Sequence, residues 1–388
     1  MKVLTRLAPG VAAASVALGL AAFGAPAALA SPASIVSAST VRFGGSGGAV
    51  FVQTDNVAGN SVVAYHRTAT GSLTQAGNYP TGGLGGILAG SVVDHQASQG
   101  SLRYDQRDGL LFALNAGSST VSVFRVSGDK LALRQVLSSG GTFPVSVTMH
   151  GDVVYVLNAL SGGSVSGYRV VFGRLVPIPG SKRALGLDPN ATPQFTNTPG
   201  QVAFTPDGTG LLVTTKANGS DIDVYRVGFG GLLSAVPTVN VEPGAVPFAI
   251  TFDHRGHVLI AEAGPNALVS FALSRSGVLT PLATALTGQA ATCWVVRAGR
   301  YFYVSNAGSG SVSGYAAGAS GSLSALGNTS TDAGTVDAAA TAGGRFVYVQ
   351  TGAAGIVDEF SVGAGGALTK IGSVTVPGAV GGEGIAVS

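Results

Sequence analysis

Glu262 and Lys216 are the two residues of this chain whose types and positions best suit bond-making chemistry. Each follows the second strand of one copy of an internal repeat, so adjacent copies bring the carboxylate and the ammonium to one rim. There they could serve as general acid or base and as oxyanion stabiliser toward a cyclic ester or a carboxylate ligand. The same placement makes a simple ion pair, and the sequence leaves both open. Asp94, His95, Gln289, Asp337 and Glu383 fall on the same rim by their place in the repeat and form the candidate ligand-binding set, with Asp55, Gln99 and Cys293 beside them. Asp94 and His95 lie in a long Gly-rich connection, 81–99, which could cover a channel as a lid or run as a plain surface loop. Cys293, next to Trp294 and without an adjoining His, reads as a small buried thiol rather than a nucleophile.

Other polar clusters read as turn chemistry. Asp105, Asp152, Asp207 and Asp253 stand in first-to-second-strand turns such as Pro206-Asp207-Gly208, where a carboxylate caps backbone N–H groups. His254 and His257 share such a turn with Gly256 and have no evident third ligand, so they read as solvated histidines, as does His150. No phosphate-binding Gly loop or nucleophile elbow is present, and neither a metal nor any other cofactor is expected.

The elements that position these residues repeat seven times: a strand ending in Asn-Ala-Gly or similar, a polar turn, a second alternating strand, a Gly turn and a Leu-led third strand. The anchors Phe51, Phe112, Tyr155, Leu212, Leu259, Tyr303 and Tyr348 recur at about 43 to 61 residues, the period of a four-stranded propeller blade with variable loops. Six copies are preceded by a small-residue strand, at 100–104, 144–149, 201–205, 247–252, 292–296 and 336–341, suited to a crowded axis. The first copy has none, and 383–388 has that character with no blade of its own. The expectation is an all-β, seven-bladed β-propeller closed by a C-terminal strand that completes the first blade, which removes exposed sheet edges. Asn115, Asn158 and Asn306, at second-strand ends, are expected to hydrogen-bond the turns that follow.

Lys2 and Arg6, an apolar run over 11–23 and Ala28-Leu29-Ala30 predict a signal peptide over 1–30, cleaved near Ala30, then an extension over 31–47 and the propeller over 48–388. The expected product is secreted and probes no membrane with a helix, since the apolar run is shorter than the roughly 18 to 20 residues a span needs. Of the formal net charge of +3, Lys2 and Arg6 fall in the leader, and the remaining lysines, Lys130, Lys182, Lys216 and Lys370, are scattered. That distribution argues against nucleic acid as a partner. A single Cys leaves the fold to burial and strand pairing, and a monomer is expected.

Over 50–388 the repeated Tyr/Phe-Val-x-Asn-Ala-Gly…Val-Ser-x-Tyr/Phe pattern resembles the lactonase-type seven-bladed propellers, the bacterial 6-phosphogluconolactonase and carboxymuconate cyclase group, and also the surface propellers with Tyr-Val-Thr-Asn repeats. The resemblance implies a lactone hydrolase or cyclase acting on a small carbohydrate-derived or muconate-type lactone. It places Glu262, in Ile260-Ala261-Glu262-Ala263-Gly264, where the family's Glu falls, while the preceding Val246-Pro247-Phe248-Ala249 carries neither the family's Arg nor its His. The alternative is a non-catalytic extracellular propeller that binds a small molecule, a glycan or a protein at the channel mouth.

Overall fold

Seven antiparallel sheets of the computed structural model, which describes residues 47–388, account for nearly all of its regular structure. The predicted 1–30 leader lies outside the described residues. Six sheets take their strands in chain order from the axis outward, as in Pro247–Phe252, Val258–Glu262, Ala267–Leu273 and Leu279–Leu286. The seventh mixes the two ends of the chain. Its innermost strand is Ile385–Val387, paired antiparallel with Gly48–Gln53 in the register Val50↔Val387, Phe51↔Ala386 and Val52↔Ile385. The closing strand is thus where the sequence puts it.

Burial follows from position in the blade. A second strand such as Leu110–Asn115 is flanked by strands on both edges and by blades on both faces, so every residue in it is buried. Outer strands such as Leu73–Pro80 alternate exposed and half-buried residues after a buried leading Leu. The core is a set of inter-blade seams. Phe112, Val121 and Val123 of one blade meet Val147 and Tyr168 of the next, and each such large side chain contributes about 1.5 to 3 kcal/mol on burial.

One contact recurs between blades. The phenol of Tyr155 donates to the Gly231 carbonyl, that of Tyr303 to Gly366 and that of Tyr348 to Gly71, at 2.8, 2.8 and 2.7 Å. Each acceptor lies in the third-to-fourth-strand turn of the following blade. The Tyr348–Gly71 bond therefore repeats, across the junction of last and first blades, a bond made elsewhere between consecutive ones. Gly71 has φ +95°, and a Cβ there would meet the Phe346 ring at 2.4 Å, so the position excludes other residues on both counts.

Departures from the expected pattern are local. The long connection after the third blade adds a short strand, Arg183–Ala184, and one helical turn, Gln194–Asn197. Asn115 and Asn306 bond the hydroxyls of the strands that follow them, whereas Asn158 Nδ2 donates instead to Ser139 O in the connection that precedes its blade. His257 is not simply solvated: its Nδ1 lies 2.7 Å from Asp253 Oδ2, and Asp253 also accepts the backbone N–H groups of Arg255 and His257.

Candidate functional site at the channel mouth

Second-to-third-strand turns and blade entrances share one face of the ring, the mouth. The segment 81–101 crosses this face. Its path is fixed by backbone bonds to separate parts of the ring: Gly85 N–H to Asn56 O of the first blade, His95 N–H to Gly381 O between the last blade and the closing strand, and Gln99 N–H to Gly200 O at the entrance of the fourth blade. Leu88, Gln96 and Ser98 in it are fully buried. It is a plug seated in the mouth.

Asp94 shapes the tip of the plug. Its carboxylate accepts the N–H groups of Gln96 at 2.8 Å and Ser98 at 3.0 Å, an Asx-type turn that puts Ala97 at φ +47°. The carbonyls of this turn then point at the ring. Ala97 O accepts from Lys216 Nζ at 2.6 Å, and Ser98 O accepts from Trp294 Nε1 at 2.6 Å. The Gln99 side chain bonds both the N–H and the carbonyl of Val295, each at 2.9 Å, on the inner strand of the sixth blade.

Carboxylates grip the other side. Glu383 Oε1 accepts the Gly100 and Ser101 N–H groups at 2.8 and 3.3 Å, and its Oε2 accepts the Ser98 hydroxyl at 3.3 Å. Asp55 accepts from the Gln53 and Gln96 side-chain amides and from the Glu383 N–H. The Asp337 carboxyl lies close enough to Glu383 for each to raise or lower the other's proton affinity. All four acids are buried.

Burial of so many like charges dictates their protonation. Desolvation raises Asp55 to about 7, Asp94 to about 6 and Asp337 to about 7, and raises Glu383 well above the usual range, with repulsion from Asp337, Asp94 and Asp55 adding to it. Desolvation also lowers Lys216 to about 7, against the pull of Asp94. The cluster holds protons near neutrality, as close carboxyl pairs must.

Two cavities adjoin the plug. The axial channel, about 440 Å³, is lined by the inner strands, by Arg103, Arg297 and Asp337, and by Gln99 and Gly100 of the plug. The second, about 190 Å³, lies on the mouth between the plug and the fourth to sixth blades, with Phe195, Val246, Phe248 and Trp294 among its walls and Lys216 in its lining.

The predicted site residues do not all converge. Asp94, Asp337 and Glu383 come together with Asp55 beneath the plug. Lys216 and Glu262 do not form the expected ion pair: Lys216 Nζ is taken by Ala97 O and by Phe195 O, both at 2.6 Å. The Glu262 carboxyl, buried and raised to about 7 by desolvation and then by Glu242, lies beside another acid instead. Gln289 is in a turn and accepts the Ser311 hydroxyl at 2.9 Å. His95 is half-buried on the plug, its Nδ1 without a partner and its basicity lowered by burial. Sequence reasoning missed Gln53, Gln96, Ser98 and Ser101; the Asp94-x-Gln96-x-Ser98 spacing of an Asx turn was the available signal.

A ring of seven four-stranded blades, sealed by its own C-terminal strand and carrying its polar cluster at the mouth, is the lactonase class of propeller. The chain matches the family described as "Lactonase, 7-bladed beta-propeller" over residues 90–381 and belongs to it. No functionally curated sequence matches the chain. Among solved structures, a candidate 6-phosphogluconolactonase of Bacteroides fragilis superposes with a TM-score of 0.71 at 19% identity, covering 89% of this chain and 98% of that one. The periplasmic gluconolactonase of Pseudomonas aeruginosa gives 0.69 at 20% identity, covering 88% and 99%. Virginiamycin B lyase of Staphylococcus aureus gives 0.52 at 12% identity, covering 74% and 87%. Likeness at these identities concerns the fold, on which sites vary independently.

Proposed function

We propose that this protein is an exported, non-catalytic member of the lactonase-type propellers that binds a small molecule at its mouth face. The observation that carries this is the commitment of the mouth's ionisable groups to its own backbone and one hydroxyl: Lys216 to one carbonyl of the plug and to that of Phe195, Asp94 to the plug's own turn, and Glu383 to Gly100, Ser101 and Ser98. A phosphorylated sugar lactone would need several cations to receive its phosphate, and the cluster described above contains one lysine, two of whose N–H groups already hold carbonyls. Export rests on the leader-like 1–30 segment.

Lactone hydrolysis is the second reading, supported by the family and by Glu262, whose carboxyl near 7 suits general acid or base catalysis. A panel of sugar and muconate lactones separates the two. Rates at the uncatalysed background support the binding protein. Turnover by the native chain that disappears in Glu262→Gln refutes it.

A further inference from the structure

The walls of the 190 Å³ pocket beside the plug are mostly apolar, with Lys216, Asp94, Ser91, Thr196 and Cys293 as the polar residues of its lining. Phe248 and Trp294 form a T-shaped pair in its wall, with centroids 5.0 Å apart at 61°. Phe195, Val246 and Val93 supply most of the rest. Lys216 breaks this surface, with Nζ 5.2 Å from the centre of the Phe248 ring.

An ammonium has three donors. Two are spent on Ala97 O and Phe195 O, and Lys216 forms no ion pair with any described carboxylate. In its protonated form, favoured below about pH 7, Lys216 is a buried cation one acceptor short at the edge of an apolar cavity, which asks for an anionic oxygen on an otherwise apolar body. An unmet buried donor costs about 1 to 3 kcal/mol, more when charged. The cavity's size limits that body, since a protein cavity of about 150 Å³ takes benzene. Sugars are disfavoured, because their hydroxyls would find few partners among these walls.

We propose that this pocket binds a small apolar carboxylate, a single aromatic ring or short acyl chain whose carboxylate accepts the third N–H of Lys216 while the ring or chain packs on Phe248 and Trp294. The assignment rests on the binding reading above and narrows it to one ligand class. Asp94 and Cys293 are the other titratable groups close enough to act on Lys216, and neither supplies that acceptor.

Trp294 is the single tryptophan and lines the pocket, so its fluorescence reports occupancy in the full chain. Titration with benzoate and hexanoate is expected to saturate, with affinity at least tenfold above that of benzyl alcohol. Lys216→Met is expected to erase that preference. Ala307→Phe, which adds a ring to a residue of the pocket lining, is expected to abolish binding of acid and alcohol alike, with thermal unfolding confirming the fold of each variant. Should Lys216→Met not fold, the acid-to-alcohol ratio and Ala307→Phe still decide. Equal affinity for benzoate and benzyl alcohol overturns the carboxylate assignment. Benzoate binding undisturbed by Ala307→Phe overturns the pocket. Either failure leaves the general binding function standing, whereas lactone turnover lost in Glu262→Gln overturns that function itself.

Discussion

Glu383 Oε1 accepts the backbone N–H of Gly100 at 2.8 Å, which ties the strand that closes the ring to the segment that closes the mouth. Two residues after Glu383, Ile385–Val387 supplies the innermost strand of the first blade. Ring closure and mouth closure therefore depend on the same six residues.

Deletion of 383–388 should cost more than about 4 kcal/mol, the range of broken buried networks, because it strips an edge from Gly48–Gln53 and removes the acceptor for Gly100 and Ser101 together. Thermal or urea unfolding reads this directly, and an unchanged midpoint would show that the terminal strand is dispensable.

The bond between Tyr348 and Gly71 predicts two graded effects. Tyr348→Phe removes one buried hydrogen bond and leaves the Gly71 carbonyl unmet, for a loss of about 1 to 2 kcal/mol. Gly71→Ala adds positive-φ strain to a 2.4 Å approach to the Phe346 ring and should cost more than the Tyr348 change. Chemical denaturation of the two variants checks the order.

Protons under the plug make stability depend on pH. The native carboxyls of Asp55, Asp94 and Asp337 titrate at about 6 to 7, above the ordinary 3.8, so between about pH 4 and 7 the native state keeps protons that the unfolded chain has released. Stability from this cluster therefore falls as pH rises through that window. Lys216, lowered to about 7, acts in the opposite sense above it: the unfolded chain holds the extra proton up to about 10.5, and stability recovers with rising pH. Glu383→Gln keeps an acceptor for Gly100 but removes one acid from the cluster. Its unfolding midpoint should decline less steeply than that of the native protein between pH 5 and 7, and parallel profiles would contradict the shared-proton picture.

Much of the fold is legible because each blade restates it. The second-strand anchors and the unpartnered strand at the C-terminus follow from period and composition alone, and the 247–252 inner strand is observed with the bounds expected. The site is less legible because loops decide it. Lys216 and Glu262 occupy equivalent places in neighbouring blades, but Phe195, from the helical turn after the third blade, and Ala97, from the plug, reach Lys216 first. Neither contact has a periodic signal. The sequence puts Asp94, Asp337 and Glu383 on one rim with His95, Gln289 and others but does not single the three out, and the hold of Gln96 on Asp55 depends on a turn internal to the plug.

Amide hydrogen exchange of the plug tests the central claim most directly. If the segment seals the mouth as a built-in part of the ring, the Gln96, Ser98 and Gly100 amides, bonded to Asp94 and Glu383, will exchange at neutral pH as slowly as blade-core amides such as that of Val63. Exchange faster by several orders of magnitude at these three amides, with the blades still protected, would mark the segment as an opening lid and contradict the account of a permanently plugged propeller.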